Sequence, residues 1–329
     1  MPFRPLHEVQ RFVPEVEEVR VELLQVVGVG REQHLPPLIP PTRTRGSDYL
    51  EDGAVSCPAP VGGRLALFYE EWVKITQDVF ILSVLAHGFR IIVSEDLSGV
   101  LRENTAAPKN LKAHVSFTKE IEILILKNAI VKVDDFPTLC LSPIFLIPKK
   151  SGDLRMILNL KVINMYIAVQ HFRMETLSVI LPEISRQDWA ISLDLKDAYL
   201  HVPIHQASQR LLGFRYLDQT FLYQVLPFGL KDFPWVFSRL VATLIGHLRL
   251  QGIKIFYYLD DWILLAGSRD LLEMHLRFTL ELSQKLSFLI FGRNLFSSLR
   301  DSLRTWVLSW TSRTSWLGLW TTGYLICSL

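Results

Sequence analysis

Two adjacent carboxylates, Asp260 and Asp261, lie between the apolar runs 253–257 and 262–266. Both runs are rich in β-branched and aromatic residues, so each predicts a strand and the pair falls at a hairpin turn. Two like charges ~4 Å apart repel by about 4 kcal/mol at an effective dielectric of 20. A divalent cation removes this cost, and hard carboxylate oxygens suit Mg²⁺. An Asp-Asp pair alone is more often a solvated turn, so the interpretation needs a second acidic segment.

That second segment is residues 191–199, where the short apolar run 191–193 ends in Asp194. If its strand lies beside the hairpin, Asp194 faces Asp260 and Asp261. Three carboxylates from two strands can hold two metal ions. This arrangement serves in-line phosphoryl transfer, in which one ion activates the attacking oxygen and the other stabilises the leaving oxygen.

Four segments carry a family resemblance. Residues 258–261 (YLDD) resemble the Y-x-D-D box of reverse transcriptases, and residues 193–199 (LDLKDAY) resemble their first catalytic motif. Residues 226–230 (LPFGL) resemble the motif that follows it, and residues 142–155 (SPIFLIPKKSGDLR) resemble the fingers strand pair. Four motifs in the family's order are far more specific than one. The sequence of these motifs most resembles that of DIRS-like, tyrosine-recombinase retrotransposons, and the resemblance covers about residues 60–295.

The resemblance implies a metal centre and its chemistry. Its catalytic residues would be Asp194, Asp260 and Asp261. Its metal ligands would be these three together with Leu195. The cofactor implied is a pair of Mg²⁺ ions, with Mn²⁺ as the alternative.

The resemblance also implies a nucleotide site. The basic fingertip residues Lys149, Lys150 and Arg155 would reach over a triphosphate, Arg by bidentate contact and Lys as a point charge. A solubilising loop is the alternative for this tip. The remaining nucleotide-binding residues implied are Asp197, Ala198, Tyr199, Phe228 and Gly229.

Four of these residues have more specific expected roles. The flat ring of Tyr199 would clash with a 2′-hydroxyl and so select deoxynucleotides; a core tyrosine is the alternative. Gly229 would let the backbone approach the base pair closely, and Phe228 would pack near the nucleotide. Asp197 is expected to be structural or to lie near the triphosphate.

The chain departs from the family after Leu230. Family members have small residues there, whereas this chain has Lys231, Asp232 and Phe233. We expect a bulky ring and an added charge beside the template pocket, which favours a loss of activity rather than a loss of fold.

The predicted fold class is α+β: a right-hand polymerase palm and fingers, with an antiparallel sheet backed by helices. The thumb and RNase H domain of such elements have no expected counterpart in the chain. In the lead-in, one helix is expected to end at Gly88 and a second to run from Ser116 to Ile130. The predicted organisation is a poorly ordered segment 1–60, a helical lead-in 61–135, fingers and palm 136–295, and a degenerate or partial segment 296–329.

Composition restricts the remaining possibilities. The 329 residues are 49% apolar, enough for a sizeable core. The net charge of +2 divides unevenly, with −4 in residues 1–140 and +6 in residues 141–329, as expected if the second half holds a phosphate backbone. Three isolated cysteines, no apolar leader and no long apolar segment predict an intracellular protein, cytoplasmic or nuclear, not secreted and without a membrane partner.

The main functional hypothesis is therefore an RNA-directed DNA polymerase of a retrotransposon. It would use an RNA or DNA template with a primer and deoxynucleoside triphosphates. One alternative is an inactive retroelement-derived relic that folds as a palm and at most binds nucleic acid. A third hypothesis, less favoured, is a small-molecule nucleotidyltransferase using the same metals. The sequence indicates no oligomeric state.

Overall fold

The computed structural model describes residues 59–97, 101–105, 111–148, 154–168, 170, 172, 174–175, 177–185 and 187–292. The expected N-terminal segment 1–60 lies outside the described residues, except for residues 59 and 60. The expected C-terminal segment 296–329 and the fingertip turn 149–153, with Lys149 and Lys150, also lie outside them.

A four-stranded antiparallel sheet lies at the centre of the described chain. Its strands run in the order β7-β8-β4-β9. Their bounds are β4 Trp189–Leu195, β7 Lys254–Tyr258, β8 Asp261–Ala266 and β9 Ile290–Gly292. All six residues of β8 are buried, as expected for a central strand covered on both faces. The predicted strands around the Asp-Asp pair and before Asp194 are confirmed.

Two long helices cover this sheet. Helix α7 (Phe233–Leu250) packs on β7, and helix α8 (Arg269–Lys285) packs on β8, β4 and β9. Pro234 is tolerated in the first turn of α7 because the backbone N–H that it lacks would have no partner there. Ser268 caps α8, since its side chain accepts a hydrogen bond from Leu271 N at 3.3 Å. These helices bury the apolar face that the central sheet presents.

A second sheet and a hairpin complete the strands. The second sheet has the order β1-β6-β5, and the hairpin is formed by β2 and β3. The bounds are β1 Ile130–Val133, β2 Ile144–Pro148, β3 Leu154–Leu158, β5 Gly213–Tyr216 and β6 Gln219–Tyr223. Leu217 and Asp218 join β5 to β6 with φ of 47° and 60°, the backbone of a type I′ turn. The β2–β3 pair is the predicted fingers hairpin.

The lead-in differs from its prediction. The second predicted helix is α3, Leu111–Leu126. Ser116 lies inside it and donates its hydroxyl to Lys112 O at 2.9 Å, so it is not the cap. Ile130 begins β1, which pairs with β6. Tertiary pairing therefore overrides the local helical pattern, and a boundary at residue 135 would separate β1 from its own sheet.

The shorter helices pack around these sheets. Gly88 ends the first lead-in segment, as predicted, with φ of 82°. The helices are α1 Tyr69–Val73, α2 Val79–His87, α4 Lys161–Met165, α5 Leu177–Ile180 and α6 Gln206–Gln209. Short 3-10 turns occupy 64–68, 181–183 and 198–201. Among the described helices, none combines the length and apolar character needed to cross a bilayer.

Candidate active site

The turn of the β7–β8 hairpin holds the acidic pair at a strained backbone position. Tyr258 pairs with Asp261, so Leu259 and Asp260 are the two central turn residues. Leu259 has φ of 55°, a region that costs an L-residue about 1–2 kcal/mol. Trp262 is fully buried and donates its indole N–H to Leu259 O at 3.1 Å. Buried packing at this anchor keeps Asp260 at the tip of the turn.

Strand pairing brings Asp194 next to this turn. Asp194 on β4 is the direct partner of Asp261 on β8. Directly opposed residues in an antiparallel pair project to the same face, with Cβ atoms about 4.5–5.5 Å apart. Leu195 N also donates to Asp260 O at 2.9 Å, which fixes the turn against the end of β4. Asp194, 66 positions before Asp260 in the chain, therefore lies beside the turn that holds Asp260 and Asp261, at one end of the sheet.

Asp260 is engaged by a tyrosine. The Tyr199 hydroxyl donates to Asp260 Oδ1 at 2.8 Å. Asp260 is 8% exposed and Tyr199 is 6% exposed, so the hydrogen bond is almost entirely shielded from water. A hydrogen bond to a charged acceptor in such surroundings is stronger than one between neutral groups.

Two of the three carboxylates, those of Asp194 and Asp261, are placed to bind a hard divalent cation. Asp194 and Asp261 offer carboxylate oxygens from opposed positions, which fits one shared Mg²⁺. Among the described residues, however, no group of three His, Cys, Asp or Glu side chains is arranged to hold a metal ion. Asp260 Oδ1 is instead engaged by the Tyr199 hydroxyl, which lies among several aromatic rings.

Those aromatic rings form a cluster, which we define as Tyr199, Phe228, Phe233 and Phe237. The Tyr199 ring centroid lies 4.7 Å from that of Phe228, 4.1 Å from that of Phe233 and 5.0 Å from that of Phe237. The guanidinium of Arg155 lies over the Phe228 ring at 4.4 Å from its centroid, a cation–π contact. Contacts through Phe228 and Tyr199 thus connect strand β3 of the fingers hairpin to the carboxylate of Asp260.

The backbone of Gly229 closely approaches another part of the protein, the carbonyl group of Leu158. Its φ is 111°, and a Cβ added there would overlap the carbonyl oxygen of Leu158, on β3. Asn164 Nδ2 also donates to Gly229 O at 2.7 Å. The glycine is required because the chain after Pro227 presses against the fingers hairpin. This requirement is independent of the base-pair contact expected from the sequence.

Asp197 and Ala198 begin the turn that carries Tyr199. Asp197 has φ of 52° and its Oδ1 forms an ion pair with Lys127 Nζ at 2.7 Å. Its Oδ2 is buried with no hydrogen-bond partner in the described chain. Ala198 is 1% exposed. The contacts of Asp197 favour the structural alternative. Lys127 was missed from the sequence, since nothing local links residues 70 positions apart.

Residues 231–233, which differ from the family pattern, have side chains that pack into the protein. Lys231 Nζ donates to Ile167 O at 2.8 Å and to Asn164 O at 3.4 Å. Asp232 is 5% exposed and Phe233 is 4% exposed. A side chain so covered does not project into an open groove. The structure therefore contradicts the expected obstruction of a template pocket, and the Phe233 ring instead packs against that of Tyr199.

Asp232 provides a test of this burial. Burial raises the pKa of its carboxyl to about 6, although the Lys231 ammonium lowers it. Because the folded pKa exceeds the unfolded value of 3.8, stability falls as pH rises through this window. Asp232→Asn is expected to raise the free energy of unfolding at pH 7.5 by about 1–3 kcal/mol.

The measurement is urea unfolding of Asp232→Asn between pH 5 and pH 8, with the gain shrinking towards pH 5. The matched control is Asp218→Asn in the exposed β5–β6 turn, where the same substitution relieves no burial and should leave stability nearly unchanged. Equal gains at all pH values would contradict a buried, titrating Asp232.

Comparison with known proteins identifies the matching segment. Residues 147–291 match a family model described as reverse transcriptase (RNA-dependent DNA polymerase). The Tf2-3 transposon polyprotein of Schizosaccharomyces pombe is 27% identical over 161 residues, which are 49% of this chain and 12% of the polyprotein. The Tf2-7 polyprotein of the same organism is 26% identical over the same length. These matches show that this part of the chain is similar to reverse transcriptases of retroelements.

Solved structures are similar over a larger part of the chain. The native protease–reverse transcriptase of prototype foamy virus has a TM-score of 0.52 and 21% identity, covering 61% of this chain and 26% of the viral chain. A foamy viral protease–reverse transcriptase in complex with dsDNA also has a TM-score of 0.52, with 20% identity and 71% and 49% coverage. The predicted α+β palm-and-fingers fold is thereby confirmed. The chain spans well under two thirds of these relatives.

Proposed function

We propose that this chain is an RNA-directed DNA polymerase of a retrotransposon of the DIRS-like type. The observation that carries the proposal is the pairing of Asp194 with Asp261 beside the Asp260 turn. The reaction is attack of a primer 3′-hydroxyl on the α-phosphorus of a deoxynucleoside triphosphate. Pyrophosphate leaves with the electrons of the broken P–O bond.

The metal ligands in this proposal are Asp194, Asp260, Asp261 and Leu195. Mg²⁺, or Mn²⁺ in its place, supplies positive charge that stabilises the attacking and leaving oxygens when bound. The chain contributes position: β4 and β8 hold two carboxylates on one face, and the turn holds the third. Little covalent chemistry is required of the protein, because placement and charge dominate phosphoryl transfer.

The fingers hairpin supplies the nucleotide contacts. Arg155 on β3 already lies at Phe228, which borders the aromatic cluster next to Asp260. Lys149 and Lys150 belong to the same hairpin by sequence and would add positive charge for the triphosphate. The surface beneath the incoming nucleotide is formed, through the packing described above, by Phe228, Gly229, Asp197 and Ala198.

Tyr199 is proposed to select the sugar. Tyr199→Ala is expected to raise incorporation of ribonucleotides relative to deoxynucleotides by at least tenfold, because the ring that opposes a 2′-hydroxyl is gone. The measurement is single-nucleotide incorporation of UTP against dTTP. Tyr199→Phe keeps the ring and should keep the selectivity. Unchanged selectivity in Tyr199→Ala would remove this role.

The function is tested by primer extension with the full chain. Extension of a DNA primer on an RNA template is expected to require a divalent cation and all four deoxynucleotides, and to stop on chelation. A nucleotidyltransferase acting on small molecules would label a free acceptor without a template. Transfer to that acceptor, with no templated extension, would reject the polymerase.

One observation favours the inactive alternative. Asp260 is hydrogen-bonded to Tyr199, and the described residues form no three-carboxylate metal group. A palm held in this state would fold and bind nucleic acid without turnover. Extension that is absent in Mg²⁺ and in Mn²⁺, with the fold intact, would support it.

A further inference from the structure

We propose that Tyr199 withholds Asp260 from cations, and that Phe233 keeps Tyr199 in the position to do so. In this role Tyr199 is a positioning residue acting on a metal ligand. The inference rests on the proposed function, since it concerns the same carboxylates. It concerns the unusual residue at 233 and the hydroxyl group of Tyr199, in addition to its ring.

The hydroxyl competes directly with a cation. Asp260 Oδ1 accepts from the Tyr199 hydroxyl at 2.8 Å, and a carboxylate oxygen in that bond has a lone pair committed to it. Both side chains are more than nine-tenths buried, so water does not replace this partner readily. A cation that binds Asp260 through this oxygen therefore has to displace or distort a shielded hydrogen bond.

Charge repulsion favours the same state. Asp194 and Asp261 already share one face of β4 and β8. Turning a third carboxylate towards them without a cation adds like-charge repulsion. The hydroxyl of Tyr199 gives Asp260 an alternative partner, so the state seen here is favoured when no cation is bound.

Phe233 restricts the movement of Tyr199. Its ring centroid lies 4.1 Å from that of Tyr199, a direct contact that is closer than the usual spacing of about 4.5–7 Å for aromatic pairs. Phe233 begins α7, a helix of 18 residues that packs on β7. The ring is therefore fixed on a rigid element, and Tyr199 is confined between it, Phe228 and Phe237. A small residue at 233 would leave space for Tyr199 to withdraw from Asp260.

The test measures Mn²⁺ binding to the full chain. Binding is monitored by electron paramagnetic resonance of the free ion and by calorimetry. Tyr199→Phe removes only the hydroxyl and is expected to bind Mn²⁺ about tenfold more tightly, which corresponds to 1.4 kcal/mol. Phe233→Ala is expected to tighten binding as well, by a smaller factor. Thermal unfolding confirms that each variant is folded.

The matched control is Tyr216→Phe. Tyr216, on strand β5 of the second sheet, is also buried. Its hydroxyl is hydrogen-bonded to His114 Nδ1 at 2.7 Å. Its loss should leave Mn²⁺ affinity unchanged. If Tyr199→Phe binds Mn²⁺ with unchanged or weaker affinity, the proposed role of the hydroxyl is overturned. If only Phe233→Ala has no effect, the role of Phe233 is overturned.

A second pair of variants separates this inference from the proposed function. Asp194→Asn and Asp261→Asn should both weaken Mn²⁺ binding, whatever Tyr199 does. If neither weakens it, the proposed metal site itself is wrong. If both weaken it while Tyr199→Phe has no effect, the site stands and the withholding of Asp260 is rejected.

Discussion

Asp260→Asn is expected to reduce primer extension by about 10³-fold or more, below detection in most assays. The change is isosteric, and the amide oxygen can still accept a hydrogen bond from Tyr199. Folding and packing at the turn should therefore persist while the negative charge is lost. The measurement is the single-turnover rate of extension on an RNA template, with circular dichroism to show an unchanged fold.

The control for this result is Asp218→Asn, which makes the same chemical change in another hairpin turn. Asp218 has φ of 60°, a conformation that Asn tolerates well. Its extension rate should match that of the unmodified chain. Extension that persists in Asp260→Asn would reject the assignment of this turn as the catalytic centre.

Gly229→Ala is expected to have the largest effect on stability. The residue would have to adopt φ of 111°, and its Cβ would overlap the Leu158 carbonyl oxygen. Backbone strain of about 1–3 kcal/mol and overpacking of about 1–3 kcal/mol together predict a loss of about 3 kcal/mol or more. Urea unfolding at pH 7.5 measures it, and extension should decline as the fingers hairpin moves from Phe228.

Gly246→Ala is the matched control for this loss. Gly246 lies in the exposed middle of α7, and an added Cβ would meet nothing within 4 Å. Alanine is a better helix former than glycine, so stability should rise by up to about 1 kcal/mol. A similar change in both variants would contradict the close approach of Gly229 to Leu158.

The elements of the site were predictable because their signals are local. Alternating and continuous apolar runs gave β4, β7 and β8, and the Asp-Asp pair marked the turn. The side-by-side placement of Asp194 and Asp261 needed one further step, the assumption that two strands ending in carboxylates are neighbours. The structure confirms that placement, while the catalytic roles of the residues remain proposals.

The contacts that modify the site were not predictable from local pattern. The bond between Tyr199 and Asp260 depends on where three phenylalanine rings meet, and these come from positions 228, 233 and 237. Phe233 was recognised as unusual from the sequence, but the prediction that its ring faces a template pocket was wrong. The ring is buried, because tertiary packing decides which side chains at the start of a helix are covered. The ion pair of Lys127 with Asp197 and the strand at Ile130 have the same origin, in pairing between distant segments.

The most direct measurement of the central claim is iron-mediated cleavage of the backbone. Fe²⁺ bound in place of Mg²⁺, with ascorbate and peroxide, generates hydroxyl radicals that cut the chain beside the metal. Cuts are expected at two segments distant in sequence, around residues 194–195 and 259–261, and excess Mg²⁺ should suppress both. Cuts at only one segment, or unchanged cuts in Asp194→Asn, would contradict a metal centre shared by these strands.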